Sequence, residues 1–153
     1  MTQAVETILK ELLDALGISY SGIAHSEIAG QVIFSIQTDA APLLIGGKGD
    51  TIHALDMLVK KIYEKRHPAT AGEEESRFLI DVNDYQIRRI KDLQTKALMM
   101  ADRARSLQYD VELSPMSSYE RLIVHTALQD QPNITTESQG EGRGRRVVIK
   151  YAA

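Results

Sequence analysis

The chain of 153 residues contains no cysteine and no tryptophan, and few prolines, histidines or aromatic residues. Without cysteine there are no disulfides, no thiol catalysis and no Cys-based zinc or iron–sulfur centre. The 4 histidines are scattered along the chain, which leaves no His-rich metal cage, and no cofactor is expected. Long apolar runs are missing too: nothing approaches the roughly 18 residues that a membrane helix needs. The start Met-Thr-Gln-Ala-Val-Glu lacks the basic stretch and apolar segment of a signal peptide, so a cytoplasmic protein without membrane insertion is expected. With 43% hydrophobic and 25% charged residues, the composition is that of a globular protein with room for one ordinary domain or two small ones.

A surplus of positive charge is also missing, since the formal net charge is -3. That total hides an asymmetry. Residues 1–76 carry 6 basic and 11 acidic side chains, whereas residues 77–153 carry 12 basic and 10 acidic ones. An anionic ligand should therefore find its strongest hold in the second half, through local patches rather than net charge.

Val5, Ile8, Leu9, Leu12, Leu13 and Leu16 recur at helical spacing and stop at Gly17, which predicts a helix over about 4–16. Strands are predicted over 20–28 and 31–38 with Ala29-Gly30 as the turn between them. A short helix with Pro42 in its opening turn ends at Gly46-Gly47-Lys48-Gly49, and a longer one over about 51–65 should bury Ile52, Leu55, Leu58, Val59 and Ile62. Residues 66–76 read as a polar surface loop, and 78–82 as a buried strand. In a helix over about 84–106, Ile87, Ile90, Leu93, Ala97, Ala101 and Ala104 mark the apolar stripe, with Arg88, Arg89, Lys96 and Arg103 largely off it. A strand at 109–113, a helix at 117–129 and strands at 134–138 and 145–151 follow, the last two joined by a flexible glycine-rich hairpin loop at 140–144. The order does not alternate as a doubly wound parallel sheet would; it reads as α+β, in two small two-layer domains over 1–84 and 85–153.

Two constellations carry chemistry. Gly46-Gly47-Lys48-Gly49 lies between two helices, where glycines let the backbone turn sharply and approach a sugar-phosphate chain, and where the next helix offers free amides. A capped helix corner with no ligand is the plain alternative. A nucleotide-hydrolysing phosphate loop needs Ser or Thr after its lysine, and here Gly49 follows Lys48. The second constellation is Arg121 and His125, four residues apart and so on one helical face. Arg143, Arg145 and Arg146 cluster at the glycine-rich hairpin, and Tyr119 opens the helix that holds Arg121.

Helix, two strands, helix, glycine corner, helix and strand resemble the type II KH arrangement, whose loop clamps about four nucleotides. Gly47, where many relatives carry bulkier basic residues, and the carboxylate of Asp50 depart from that pattern. Arg121-Leu-Ile-Val-His125, with Pro115-Met116 before it and Arg145-Arg146-Val-Val-Ile149 after it, resembles the R-three-H domain, a family associated with single-stranded nucleic acids. A KH half followed by an R-three-H half resembles the Jag family of SpoIIIJ-associated bacterial proteins over nearly the whole chain. Longer members carry an additional N-terminal domain and a linker; the resemblance implies a short member or a fragment, to which functions resting on that domain do not transfer.

The resemblance implies a non-catalytic binder of single-stranded RNA, or less readily DNA, with Gly46, Gly47, Lys48 and Gly49 gripping one stretch of backbone and Arg121, His125, Tyr119, Arg143, Arg145 and Arg146 another. Arginine offers a bidentate contact to phosphate or a plane to stack on a base, and histidine a donor or a ring. With 5% aromatic residues, a sheet-wide stacking platform is not available. A protein-interaction scaffold built on the same surfaces is the alternative reading. Phosphodiester hydrolysis by His125 would need a partner base or metal ligands that the sequence does not place at helpful spacing.

Overall fold

The computed structural model describes residues 1–70 and 77–153. They form two compact units, Met1–Ile87 and Arg88–Ala153, so the division falls three residues beyond the 84/85 boundary expected from the sequence. No helix of the described residues is long and apolar enough to cross a membrane.

In the first unit the order is α1 (Thr2–Ala15), β1 (Gly22–Ile28), β2 (Gln31–Gln37), α2 (Ala41–Ile45), α3 (Asp50–Arg66) and β3 (Phe78–Val82). β1 and β2 pair antiparallel through the two-residue turn Ala29-Gly30, both at positive φ (53° and 77°), the geometry that matches strand twist. β3 then adds parallel to β2, giving the order β1-β2-β3. Phe34 and Ile36 of β2 and Phe78, Ile80 and Val82 of β3 project into a core closed by Val5, Ile8, Leu9 and Leu13 of α1 and Ile52, Leu55, Val59 and Tyr63 of α3. The inner face of α3 is rotated from the expected one. Leu58 is 47% exposed, Ile62 is only partly buried, and Asp56 and Tyr63 are buried in their place. Asp56 is accommodated because its carboxylate accepts from the Ile80 N–H on the free edge of β3 at 2.9 Å and pairs with Lys60 at 2.8 Å. Of the polar loop at 66–76, Arg66 completes α3 and Pro68–Thr70 form one 3-10 turn; residues 71–76 lie outside the described residues.

The second unit holds most of α4 (Tyr85–Leu107), then β4 (Val111–Glu112), α5 (Ser118–Leu128), β5 (Ile134–Gln139) and β6 (Arg146–Tyr151), with sheet order β4-β6-β5, all antiparallel. Ala97, Ala101 and Ala104 of α4 pack with Val124 and Leu128 of α5 against Leu113, Ile134, Val147 and Ile149. Small residues on α4 let that helix lie close to its neighbours. β4 is shorter than the expected strand at 109–113, but its pairing with β6 is carried on by Leu113 N–H to the Val147 carbonyl (2.9 Å) and Met116 N–H to the Arg145 carbonyl (3.2 Å). That continuation delivers the start of α5 to the β5–β6 hairpin.

Candidate nucleic-acid interface

The glycine corner belongs to the first unit and stands between α2 and α3. Gly46 has φ 73° and ψ -173°, and a Cβ there would meet the Thr51 hydroxyl oxygen at 2.2 Å. Gly49, buried at φ 84°, would place a Cβ 3.3 Å from the Tyr85 ring. Both outer glycines are thus demanded by the fold. Gly47 and Lys48 between them leave the surface open; a Cβ on Gly47 meets nothing within 4 Å, and Lys48 itself adopts the left-handed region at φ 56°. A non-glycine residue held there costs on the order of 1 kcal/mol, which the surrounding turn must enforce. The corner therefore offers bare main chain, one ammonium and the amide end of α3, with the Asp50 carboxylate in the first helical turn.

The second unit places its cations around the start of α5. Ser117 caps that helix: its hydroxyl accepts from the Glu120 N–H, and the Glu120 carboxylate accepts from the Ser117 N–H, a closed capping box. Arg121 donates to the Met116 carbonyl at 2.8 Å and to the Ser118 hydroxyl at 3.0 Å, which fixes its guanidinium against the entry of the helix. Arg145 is brought alongside by the Met116–Arg145 main-chain bond, and it donates to the Gly140 carbonyl at 2.8 Å. The hairpin closes on itself: Gly144 and Arg145 N–H groups bond to the carbonyls of Glu141 and Gly142, and Gly140 (φ 91°) would put a Cβ 2.7 Å from the Gly144 carbonyl oxygen. Arg143 at its tip is exposed. Arg121, Arg143 and Arg145 line one open groove with Pro115, Ser117 and Ser118, and Glu120 stands in its wall.

The other expected residues stand apart from that groove. Arg146 is engaged by Glu112 of the neighbouring strand β4, at 3.2 Å. Tyr119 is half-buried with its hydroxyl inward and does not line the groove. His125 uses both ring nitrogens within the fold, Nδ1 with the Thr136 hydroxyl at 2.6 Å and Nε2 with the Ser138 hydroxyl at 2.9 Å. These two bonds join α5 to β5. Sequence reasoning misses Thr136 and Ser138, although their spacing of two on a strand is the available signal. Burial, aided by the charge of Arg121, pushes the His125 imidazole below its ordinary value, so it is neutral at pH 7.

Gly46→Ala is expected to lower stability by about 1–3 kcal/mol, whereas Gly47→Ala leaves the thermal midpoint nearly unchanged; calorimetry of the two variants checks the asymmetry. The His125 shift has a fixed sign. Because the unfolded chain takes up the proton before the folded one, the contribution of His125 is whole above the ordinary imidazole range and is lost as the pH falls below it. Denaturation curves between about pH 7 and 5 should show stability declining, with a shallower decline in His125→Gln.

The R-three-H domain model matches residues 91–151. The RNA-binding protein KhpB of Clostridium symbiosum is 30% identical over 148 residues, covering 96% of this chain and 64% of that protein. KhpB of Bacillus subtilis is 30% identical over 151 residues, covering 97% of this chain and 70% of its own length. KhpB of Lactiplantibacillus plantarum is 34% identical over 115 residues, which are 75% of this chain and 34% of the relative. The chain thus spans about two thirds of the first two relatives and about one third of the third. With the α-β-β-α-α-β order of its first unit and the R-three-H match in its second, the chain belongs to the KhpB, or Jag, family.

Proposed function

We propose that this protein acts in the bacterial cytoplasm as a binder of single-stranded RNA that holds the backbone and performs no chemistry on it. The observation that carries this reading is the convergence of Arg121, Arg143 and Arg145 on one groove at the start of α5. Guanidinium groups there meet phosphate oxygens in pairs of charge-assisted hydrogen bonds, stronger than neutral ones. The open Gly47-Lys48 segment supplies a second grip, because bare main chain and helix amides suit a phosphate that a side chain would keep away. Two grips on one chain raise apparent affinity without new contacts when a single strand spans both. The imidazole one turn along from Arg121 has both nitrogens engaged by Thr136 and Ser138, which favours binding over acid–base chemistry. RNA is preferred to DNA as the ligand because the relatives are named as RNA-binding proteins.

Fluorescence anisotropy with single-stranded RNA, the matching DNA and duplex RNA over a salt series tests the proposal. Affinity for the single strand should exceed that for the duplex and fall with salt. Arg121→Gln with Arg143→Gln should weaken binding about tenfold or more, since each charge-assisted bond contributes roughly 1.5–3 kcal/mol. Gly47→Asp with Lys48→Asp should also weaken it by setting carboxylates against the strand. Unchanged affinity in both variants would contradict the reading, and silence of the parent toward every nucleic acid alongside a stable protein complex would favour the scaffold.

A further inference from the structure

The groove and the glycine corner leave unused a group of exposed cations on α4. Arg88, Lys96 and Arg103 lie on the exposed face of that helix, opposite the buried Ala97, Ala101 and Ala104, with Arg89 at its border. At 100° per residue, Arg88, Lys96 and Arg103 fall within about a quarter turn of one another. Among the described residues, Arg88, Lys96 and Arg103 make no ion pair or side-chain hydrogen bond. Asp92 is the carboxylate at the centre of this face; Asp102, at its edge, is taken by Arg105. A solvated helix ordinarily intersperses the two signs. Here three cations share the face with Asp92, so positive charge predominates locally on a chain whose net charge is -3.

We propose that this outer face of α4 is a second backbone-binding surface for single-stranded nucleic acid, an extension that rests on the RNA-binding reading. Charge complementarity selects the occupant: a row of separate cations suits a flexible polyanion with regularly repeated charges. From Arg88 to Arg103 the row is about 22 Å long at 1.5 Å per residue. A stacked strand carries a phosphate about every 3.4 Å, so the row faces roughly six of them. Met99 stands exposed in the middle of the row and presents a thioether to sugar or base faces, which charge alone would leave uncovered.

The test uses the full chain with Arg88→Gln, Lys96→Gln and Arg103→Gln combined. All three sites are exposed and glutamine is a good helix former, so the fold is retained and circular dichroism melts should coincide with the parent. At roughly 0.7 per phosphate contact, the slope of log affinity against log salt should fall by about two. The parent should gain affinity with RNA length over a longer range than the variant. Asp92→Asn, which removes the central carboxylate, should raise affinity a few-fold, an outcome that misfolding cannot mimic. Parent-like slope and length dependence in the triple variant, or no gain in Asp92→Asn, overturn the α4 proposal alone if Arg121→Gln with Arg143→Gln still loses affinity. A parent that binds no single strand removes both readings together.

Discussion

The second unit depends on one clamp. His125 of α5 sits between two hydroxyls of β5, with a neutral ring that offers one donor and one acceptor to Thr136 and Ser138. Arg121 lies one helical turn before it, so the clamp that fixes the helix also fixes where the guanidinium emerges. A turn earlier still, the Ser117–Glu120 capping box sets the helix entry, and the main-chain bond from Met116 to Arg145 brings the hairpin up to it. Remove the imidazole and α5 keeps its apolar contacts through Val124 and Leu128 but loses its polar anchor to β5. On the proposed RNA-binding reading, Arg121 is the ligand contact and His125 the residue that positions it.

The glycine corner obeys a steric constraint of a different kind. Thr51 leaves no room for a Cβ at Gly46, Tyr85 crowds one at Gly49, which also sits at positive φ, and Gly47 faces open space. Such a division is what a backbone-holding loop requires: rigid ends, and a middle from which side chains stay out of the way. Asp50 acts on helix and ligand in opposite directions, because a carboxylate in the first turn favours α3 and disfavours an incoming phosphate. Lys48 offsets it with a charge of the opposite sign at a strained position.

Much of this is legible along the chain. The apolar spacing of α1, the Ala29-Gly30 turn, the run of small residues inside α4 and the glycine corner all express local rules, and the structure follows them. Pairing across distance does not show in sequence. Arg146 looks like its neighbours Arg143 and Arg145 until the β4–β6 register sets Glu112 beside it. Asp56 and Tyr63 displace Leu58 from the inner face of α3, where the edge of β3 offers an N–H that the Asp56 carboxylate meets. His125 reads as a ligand residue because periodicity places it on a face but does not say which strand lies against that face.

The two proposed grips, at the glycine corner and at the arginine groove, should both respond when a single strand is bound. Amide chemical shifts of isotope-labelled protein titrated with single-stranded RNA test this most directly. The largest shifts are expected at Gly47 and Lys48 and at the amides of Ser118, Arg143 and Arg145, with the Thr136 and Ser138 amides little moved because the His125 clamp is kept in the complex. Saturable binding that perturbs neither place, or that leaves both still while moving residues elsewhere, would contradict it.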